Sequence, residues 1–223
     1  MPVEGNNAFW FFGCSFTSGH GLCWDWLPSK EWRHNKKLYQ QIGDEYADVI
    51  YPKLLANHFR LEYKNMSVSG NSNQTILVKL CNYLHLMKEG DKVWVNTTWP
   101  MRLPIPHPRL DIMVETMVSN GISDLGQMIP TGIWGDDKEE LIELYISQVI
   151  GDNGKAMYNY YANALADVVL HLNKRNIKSY IWSAPDRAHY YEKIHEWRSE
   201  IDDGHLSPNG HRQLFEDVIK YFE

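Results

Sequence analysis

Three kinds of side chain in this 223-residue sequence could together move an acyl group. They are the hydroxyl of Ser15, the imidazole of His205 and a carboxylate of the neighbouring pair Asp202–Asp203. A serine hydroxyl is a weak nucleophile. It needs a base to take its proton, a third group to orient that base, and donors for the charge that grows on the attacked oxygen. Ser15 ends the stretch Phe9-Trp10-Phe11-Phe12-Gly13-Cys14-Ser15. The apolar run reads as a buried strand, and the small residues read as the turn leaving its carboxyl end. Open α/β sheets place their ligands at that end. His205 lies in Asp202-Asp203-Gly204-His205, just ahead of Ser207-Pro208. Serine as N-cap and proline in the first turn make a helix start, so His205 belongs to the preceding loop.

These residues are far apart in sequence, so regular elements must bring them together. Tyr51–Phe59 is predicted to be a helix, with Pro52 at its start. Leu61–Val68 alternates and reads as the second strand. Ser69-Gly70-Asn71-Ser72-Asn73-Gln74 is a cluster of turn and cap formers, and a helix carrying Ile76, Leu77, Leu80, Leu84 and Met87 is predicted to run to about Lys88. Lys92–Thr98 is the third strand and ends in Asn96-Thr97-Thr98. A long helix is predicted over Lys155–Asn176, with Met157, Tyr160, Tyr161, Ala164, Leu165, Val168, Val169 and Leu172 on its buried face. Ile177–Ala184 is the fourth strand, and Leu214, Phe215, Val218, Ile219 and Phe222 supply the buried face of a last helix. His211, the rival to His205 as base, falls inside that helix and is expected to face solvent. Alternation of strand and helix implies right-handed crossovers and a parallel sheet. The loops after the strands then share one edge, where the N–H groups of Ser15 and Gly70 and a polar side chain after strand three could hold an oxyanion.

Composition narrows the alternatives. Apolar residues make up 43% of the chain, ordinary for one globular domain over residues 1–223. The net charge of −6 argues against non-specific binding to nucleic acid or acidic membranes. Cys14, Cys23 and Cys81 form no paired spacing, so neither a zinc knuckle nor a disulfide framework is expected. No stretch reads as a signal peptide or a membrane span, and the expected setting is the cytoplasm. Residues 99–154 are the least regular part. Pro100, Pro104, Pro106 and Pro108 exclude regular structure from its start, and helical patterns follow over Leu110–Val118 and Lys138–Ile150. An insertion of this length is a lid, a substrate wall or an oligomer contact. The aromatic loop Trp24–Trp32 is expected to form the other wall of a groove.

The arrangement resembles the GDSL or SGNH hydrolases. Gly13-Cys14-Ser15 resembles their amino-terminal nucleophile turn, Ser69-Gly70-Asn71-Ser72-Asn73 their glycine block after strand two, and Asp202-Asp203-Gly204-His205 their carboxyl-terminal Asp-x-x-His. The resemblance spans Phe9 to Phe222. It implies a flavodoxin-like three-layer α/β/α sandwich with parallel strand order 2-1-3-4. It also implies a Ser15–His205–Asp202 triad, an oxyanion hole from Ser15, Gly70 and Asn96, and no metal or organic cofactor. The activity implied is an esterase or deacylase acting on a small-molecule or carbohydrate acyl ester through an acyl-enzyme. An acyltransferase using the same site, or a non-catalytic binding protein on the same fold, are the alternatives. Cys14 stands where the family has Asp, and Val95-Asn96-Thr97-Thr98 departs from the family's Gly-x-Asn-Asp, so Thr97 or Thr98 could stand in for Asn96. Asp203 is the alternative to Asp202. The form Gly-Cys-Ser-Phe-Thr further resembles a branch of the family common in tailed phages.

Overall fold

The computed structural model describes residues 6–19, 47–68, 71–98, 102–106, 113–117, 154–183, 206 and 208–223. Strands β1 (Ala8–Phe12), β2 (Glu62–Asn65), β3 (Lys92–Thr97) and a later strand, Lys178–Ser183, form one parallel sheet. β1 lies between β2 and β3, and the last strand pairs with β3. The spatial order is therefore the predicted 2-1-3-4. The chain leaves β1 toward one side of the sheet and returns to its other side with β3. This makes the gap between β1 and β3 a switch point, where ligand crevices open in doubly wound sheets.

Alternation along the strands builds two different cores. Phe9 and Phe11 of β1, Trp94 of β3 and Trp182 of the last strand point to one face. Helix Tyr51–His58 (α2) and helix Pro208–Ile219 (α5) cover that face with Leu55, Ala56, Leu214 and Val218. Its rings stack in series: Phe9 on Phe11 at 4.3 Å, Trp94 on Tyr180 at 5.6 Å, and Tyr180 on Tyr221 at 4.2 Å between centroids. Ala8, Trp10, Phe12, Val93 and Val95 point to the opposite face. Helix Asn73–Tyr83 (α3) and helix Gly154–Lys174 (α4) cover it with Ile76, Leu80, Leu165, Val169 and Leu172. A strand buried on both faces explains why β1 reads as an unbroken apolar run. The result is the expected three-layer α/β/α sandwich.

A carboxylate closes the amino-terminal edge of the sheet. Buried Asp91 accepts from the Ala8 N–H at 2.8 Å, the Trp10 indole N–H at 3.0 Å and the Lys88 N–H at 3.2 Å. Gly90 precedes it at φ +87°, a conformation glycine adopts without strain.

Several expectations need correction. Ser15 does not sit in a plain turn: Ser15–Ser18 forms a one-turn helix, α1, closed by Gly19 at φ 78°. α3 stops at Tyr83 and tightens into a 3-10 turn over Leu84–Leu86, short of the predicted Lys88. Tyr160 is 68% exposed and does not belong to the buried face of α4. His211 is 1% exposed and does not face solvent. Where Leu110–Val118 was expected to be helical, Met113–Met117 is a strand, β5, paired antiparallel with β4, Arg102–Pro106. Two of the prolines expected to exclude regular structure lie inside β4. Their spacing of two turns both ring nitrogens to the same side of the strand, so Leu103 and Ile105 can carry the ladder with Thr116 and Val114. The fourth strand of the main sheet is accordingly β6 in chain order.

Candidate active site

Ser15 is the first residue of α1, directly beyond the carboxyl end of β1. Cys14, in extended conformation, is the cap, and its carbonyl accepts from Thr17 N–H at 3.1 Å and Ser18 N–H at 3.0 Å. As the first helical residue, Ser15 has an N–H outside the intrahelical ladder. Its Oγ is buried and has no hydrogen-bond partner among the described residues. Buried hydroxyls usually have a hydrogen-bond partner, so one in that condition is a candidate for a functional role.

Side-chain amides tie the three strand-end loops together. Asn71 Nδ2 donates to the Gly13 carbonyl at 2.9 Å, and Val68 N–H reaches the same oxygen at 3.4 Å. Asn65 Nδ2 donates to the Thr17 carbonyl at 3.0 Å. Asn73 clasps the loop after β3 from both sides: Thr98 N–H donates to its Oδ1 at 2.8 Å, and its Nδ2 faces the Thr98 carbonyl at 3.4 Å. Ser72 caps α3 by accepting from Thr75 N–H, as the cluster of cap formers implied.

Beneath Ser15 lies a buried polar chain. The Trp94 indole N–H donates to Tyr51 Oη at 3.1 Å, Tyr51 O–H donates to Thr17 Oγ1 at 2.9 Å, and Asn96 Nδ2 is 3.1 Å from Thr17 Oγ1. Burial pushes the Tyr51 phenol far above its ordinary ionisation range, more than its hydrogen bonds with Thr17 and Trp94 pull it back. It is a neutral donor at any physiological pH. His211 stacks on the Tyr51 ring at 5.8 Å, and its Nδ1 accepts from the Tyr51 N–H at 3.4 Å. Gly13 is required where β1 meets this chain: a Cβ there would stand 2.9 Å from Thr17 Cβ and 3.1 Å from Asn96 Cβ, and closer still to Thr17 Oγ1.

The three residues weighed for the third block behave differently. Asn96 is fully buried against Thr17, and its Oδ1 has no partner among the described residues. Thr97 turns its hydroxyl toward the Trp182 carbonyl at 3.4 Å. Thr98 has a buried Oγ1 with no partner among the described residues. His205, Asp202, Asp203 and Gly70 lie outside the described residues, as do the aromatic loop Trp24–Trp32 and the predicted helix Lys138–Ile150. Leu206, next to His205, is buried in the same apolar cluster as Cys14 and Phe16. Sequence reasoning did not single out Thr17, Tyr51 or Asn65. Thr17 carried a usable signal, since a glycine before a turn can mark close approach by a side chain.

No protein-family model matches the sequence. No curated protein matches it either. Among solved structures, the chain is similar to a protein assigned to the lipolytic G-D-S-L family from Desulfitobacterium hafniense DCB-2, at 11% identity and a TM-score of 0.37 over 97% of this chain and 99% of that one. It is also similar to the acetyl xylan esterase Est2A of the rumen bacterium Butyrivibrio proteoclasticus, at 13% identity and a TM-score of 0.44, where all of this chain aligns with 64% of the other. A carbohydrate esterase with divergent catalytic and non-catalytic binding functions aligns at 13% identity and a TM-score of 0.41, over 99% of this chain and 69% of that one. No activity follows from likeness at this level.

Among the described residues, no group of three His, Cys, Asp or Glu side chains is gathered as a metal site, and no helix is long and apolar enough to cross a membrane.

Proposed function

We propose that the chain is a serine hydrolase of the SGNH type that cleaves an acyl ester, on a small molecule or a carbohydrate, through an acyl-enzyme. The observation that carries this reading is Ser15 itself: a buried hydroxyl, without a partner among the described residues, at the carboxyl end of the central strand and at the switch point of a parallel sheet. In the proposed mechanism Ser15 Oγ attacks the carbonyl carbon while His205 takes its proton. The tetrahedral intermediate collapses, His205 returns the proton to the leaving alcohol, and water repeats the sequence to release the acid. Asp202 orients the imidazole. The oxyanion is held by the N–H groups of Ser15 and Gly70 and by Asn96.

Two features of chain connectivity support the partners. Leu206 shares the cluster of Cys14 and Phe16, which ties the residue after His205 to the neighbours of Ser15. Gly70 lies between Val68 and Asn71, both of which hydrogen-bond the Gly13 carbonyl. The likeness to a tailed-phage branch rests on Gly13-Cys14-Ser15-Phe16-Thr17 alone and adds no chemistry.

The test is hydrolysis of an activated acetyl ester, together with labelling by an organophosphonate. Wild type is expected to turn over the ester and to carry the label on Ser15, and Ser15→Ala to lose both while keeping its near-ultraviolet circular dichroism. Undiminished hydrolysis by Ser15→Ala, or label on Cys14, would sink the assignment of the nucleophile.

A further inference from the structure

The buried chain beneath Ser15 contains more protons in one sense of the Asn96 amide than its contacts can use. Three contacts join four side chains: Trp94 to Tyr51, Tyr51 to Thr17, and Thr17 to Asn96. Each contact takes one proton. Trp94 can only donate, and Tyr51 and Thr17 bring one hydroxyl proton each. Those three protons fill the three contacts if Asn96 presents its Oδ1 to Thr17. With Nδ2 toward Thr17, one hydroxyl proton has no acceptor within these contacts, and Asn96 Oδ1 is buried without a partner among the described residues. Orphaned buried groups of this kind are costly. The same heavy-atom positions serve both senses of the amide, and the hydrogen-bond network decides between them.

We propose that Thr17 is a positioning residue. Through Trp94, Tyr51 and Thr17 the fold delivers a hydroxyl proton to Asn96 Oδ1, which turns the Asn96 NH2 away from Thr17, into the place at the carboxyl end of β3 where no described residue meets it. That place adjoins β1, because Val95 pairs with Phe12 and Asn96 Cβ lies against the Gly13 position. It is the edge that also carries Ser15 Oγ, which has no partner among the described residues. Held by an O–H donor, Asn96 can offer only N–H groups to an oxyanion. Without that donor the amide can rotate and present its oxygen, which repels the charge. The inference rests on the proposed hydrolase reading and adds to it the group that sets the polarity of one donor.

The experiment is a double-mutant cycle on Thr17→Val and Asn96→Ala, read as kcat and KM on the activated ester and as the rate of organophosphonate inactivation. Thr17→Val keeps the shape and removes the hydroxyl. It is expected to lower kcat and the inactivation rate about 10-fold with KM nearly unchanged, part of the ~100-fold that loss of one oxyanion donor brings. In the Asn96→Ala background the same change is expected to alter kcat by less than about 2-fold, because there is no amide left to orient. Thr17→Ser, which restores the hydroxyl, is expected to recover most of the activity. If Thr17→Val does not fold, Thr17→Ala carries the same cycle. Equal effects of the Thr17 substitution in both backgrounds, or no rescue by serine, overturn the positioning role while leaving Ser15 as nucleophile. Absence of any reaction at Ser15 in wild type overturns both readings.

Discussion

Substituting Gly13 by alanine would strike the one place where β1, the Thr17 side chain and Asn96 converge. The added Cβ would lie 2.9 Å from Thr17 Cβ, closer than real Cβ atoms come, and 3.1 Å from Asn96 Cβ, a tight contact that the amide side would have to yield to. Thr17 is completely buried and cannot swing into solvent. Relieving the overlap means pushing Thr17 off Tyr51 and Asn96, which bond it at 2.9 and 3.1 Å. Overpacking of this kind costs about 1–3 kcal/mol. Two weakened hydrogen bonds add about 1 kcal/mol each. The gain from a less flexible unfolded chain returns about 0.4–1 kcal/mol. Gly13→Ala is therefore expected to destabilise the protein by about 2–5 kcal/mol, measured by urea unfolding with an unchanged m-value. Thr17→Ala removes the nearest atom, so in that background the cost of Gly13→Ala is expected to shrink by at least ~1 kcal/mol. A Gly13→Ala protein within ~0.5 kcal/mol of wild type, or strict additivity with Thr17→Ala, would falsify the close-approach argument.

Two further perturbations test the framework around the site. Because burial raises the Tyr51 phenol above its ordinary value of 10.0, the folded protein holds a proton that the unfolded chain releases. That contribution is whole below the ordinary value and is lost as pH climbs from there toward the folded value, with a slope of up to about 1.4 kcal/mol per pH unit. Urea titrations above and below that value should show this slope in wild type and a shallower one in Tyr51→Phe; equal slopes would count against a buried, neutral phenol. Asn73→Ala removes both bonds to Thr98 and is expected to cost about 1–3 kcal/mol. It should also speed amide exchange at Thr98 before exchange rises in the β3 interior, and unchanged exchange there would show that Asn73 does not hold the loop.

Strand order and the place of Ser15 were legible because they follow from local pattern and from the handedness of crossovers. An apolar run stopped by small residues has few readings, and β1, β3 and β6 each end within a residue or so of their expected bounds. Pairing partners were not legible. Met113–Met117 has spacing that suits a helix, and only the ladder with Arg102–Pro106 makes Val114 and Thr116 behave as strand residues. The place of His211 was hidden for a similar reason: a polar residue on a helix reads as solvent-facing until a backbone donor, here the Tyr51 N–H, is found to meet it inside. The amide clasps of Asn65, Asn71 and Asn73 look in sequence like ordinary turn and cap residues. Their targets lie 48, 58 and 25 residues away, beyond any local pattern.

The carboxylate at the far edge of the sheet has a consequence for Ser15. Because β1 is apolar on both faces, sliding it by one residue would exchange Phe9 and Phe11 for Trp10 and Phe12 at little hydrophobic cost, so burial alone does not fix its setting. Asp91 does fix it. Its two oxygens grip a backbone N–H at Ala8 and an indole N–H two residues on, a combination that only one setting satisfies. A slip would carry the other end of the strand along by about 3.3 Å and turn its side chains over. Asp91 thus acts as the datum from which the position of Ser15 is measured, a strand's length away from any chemistry.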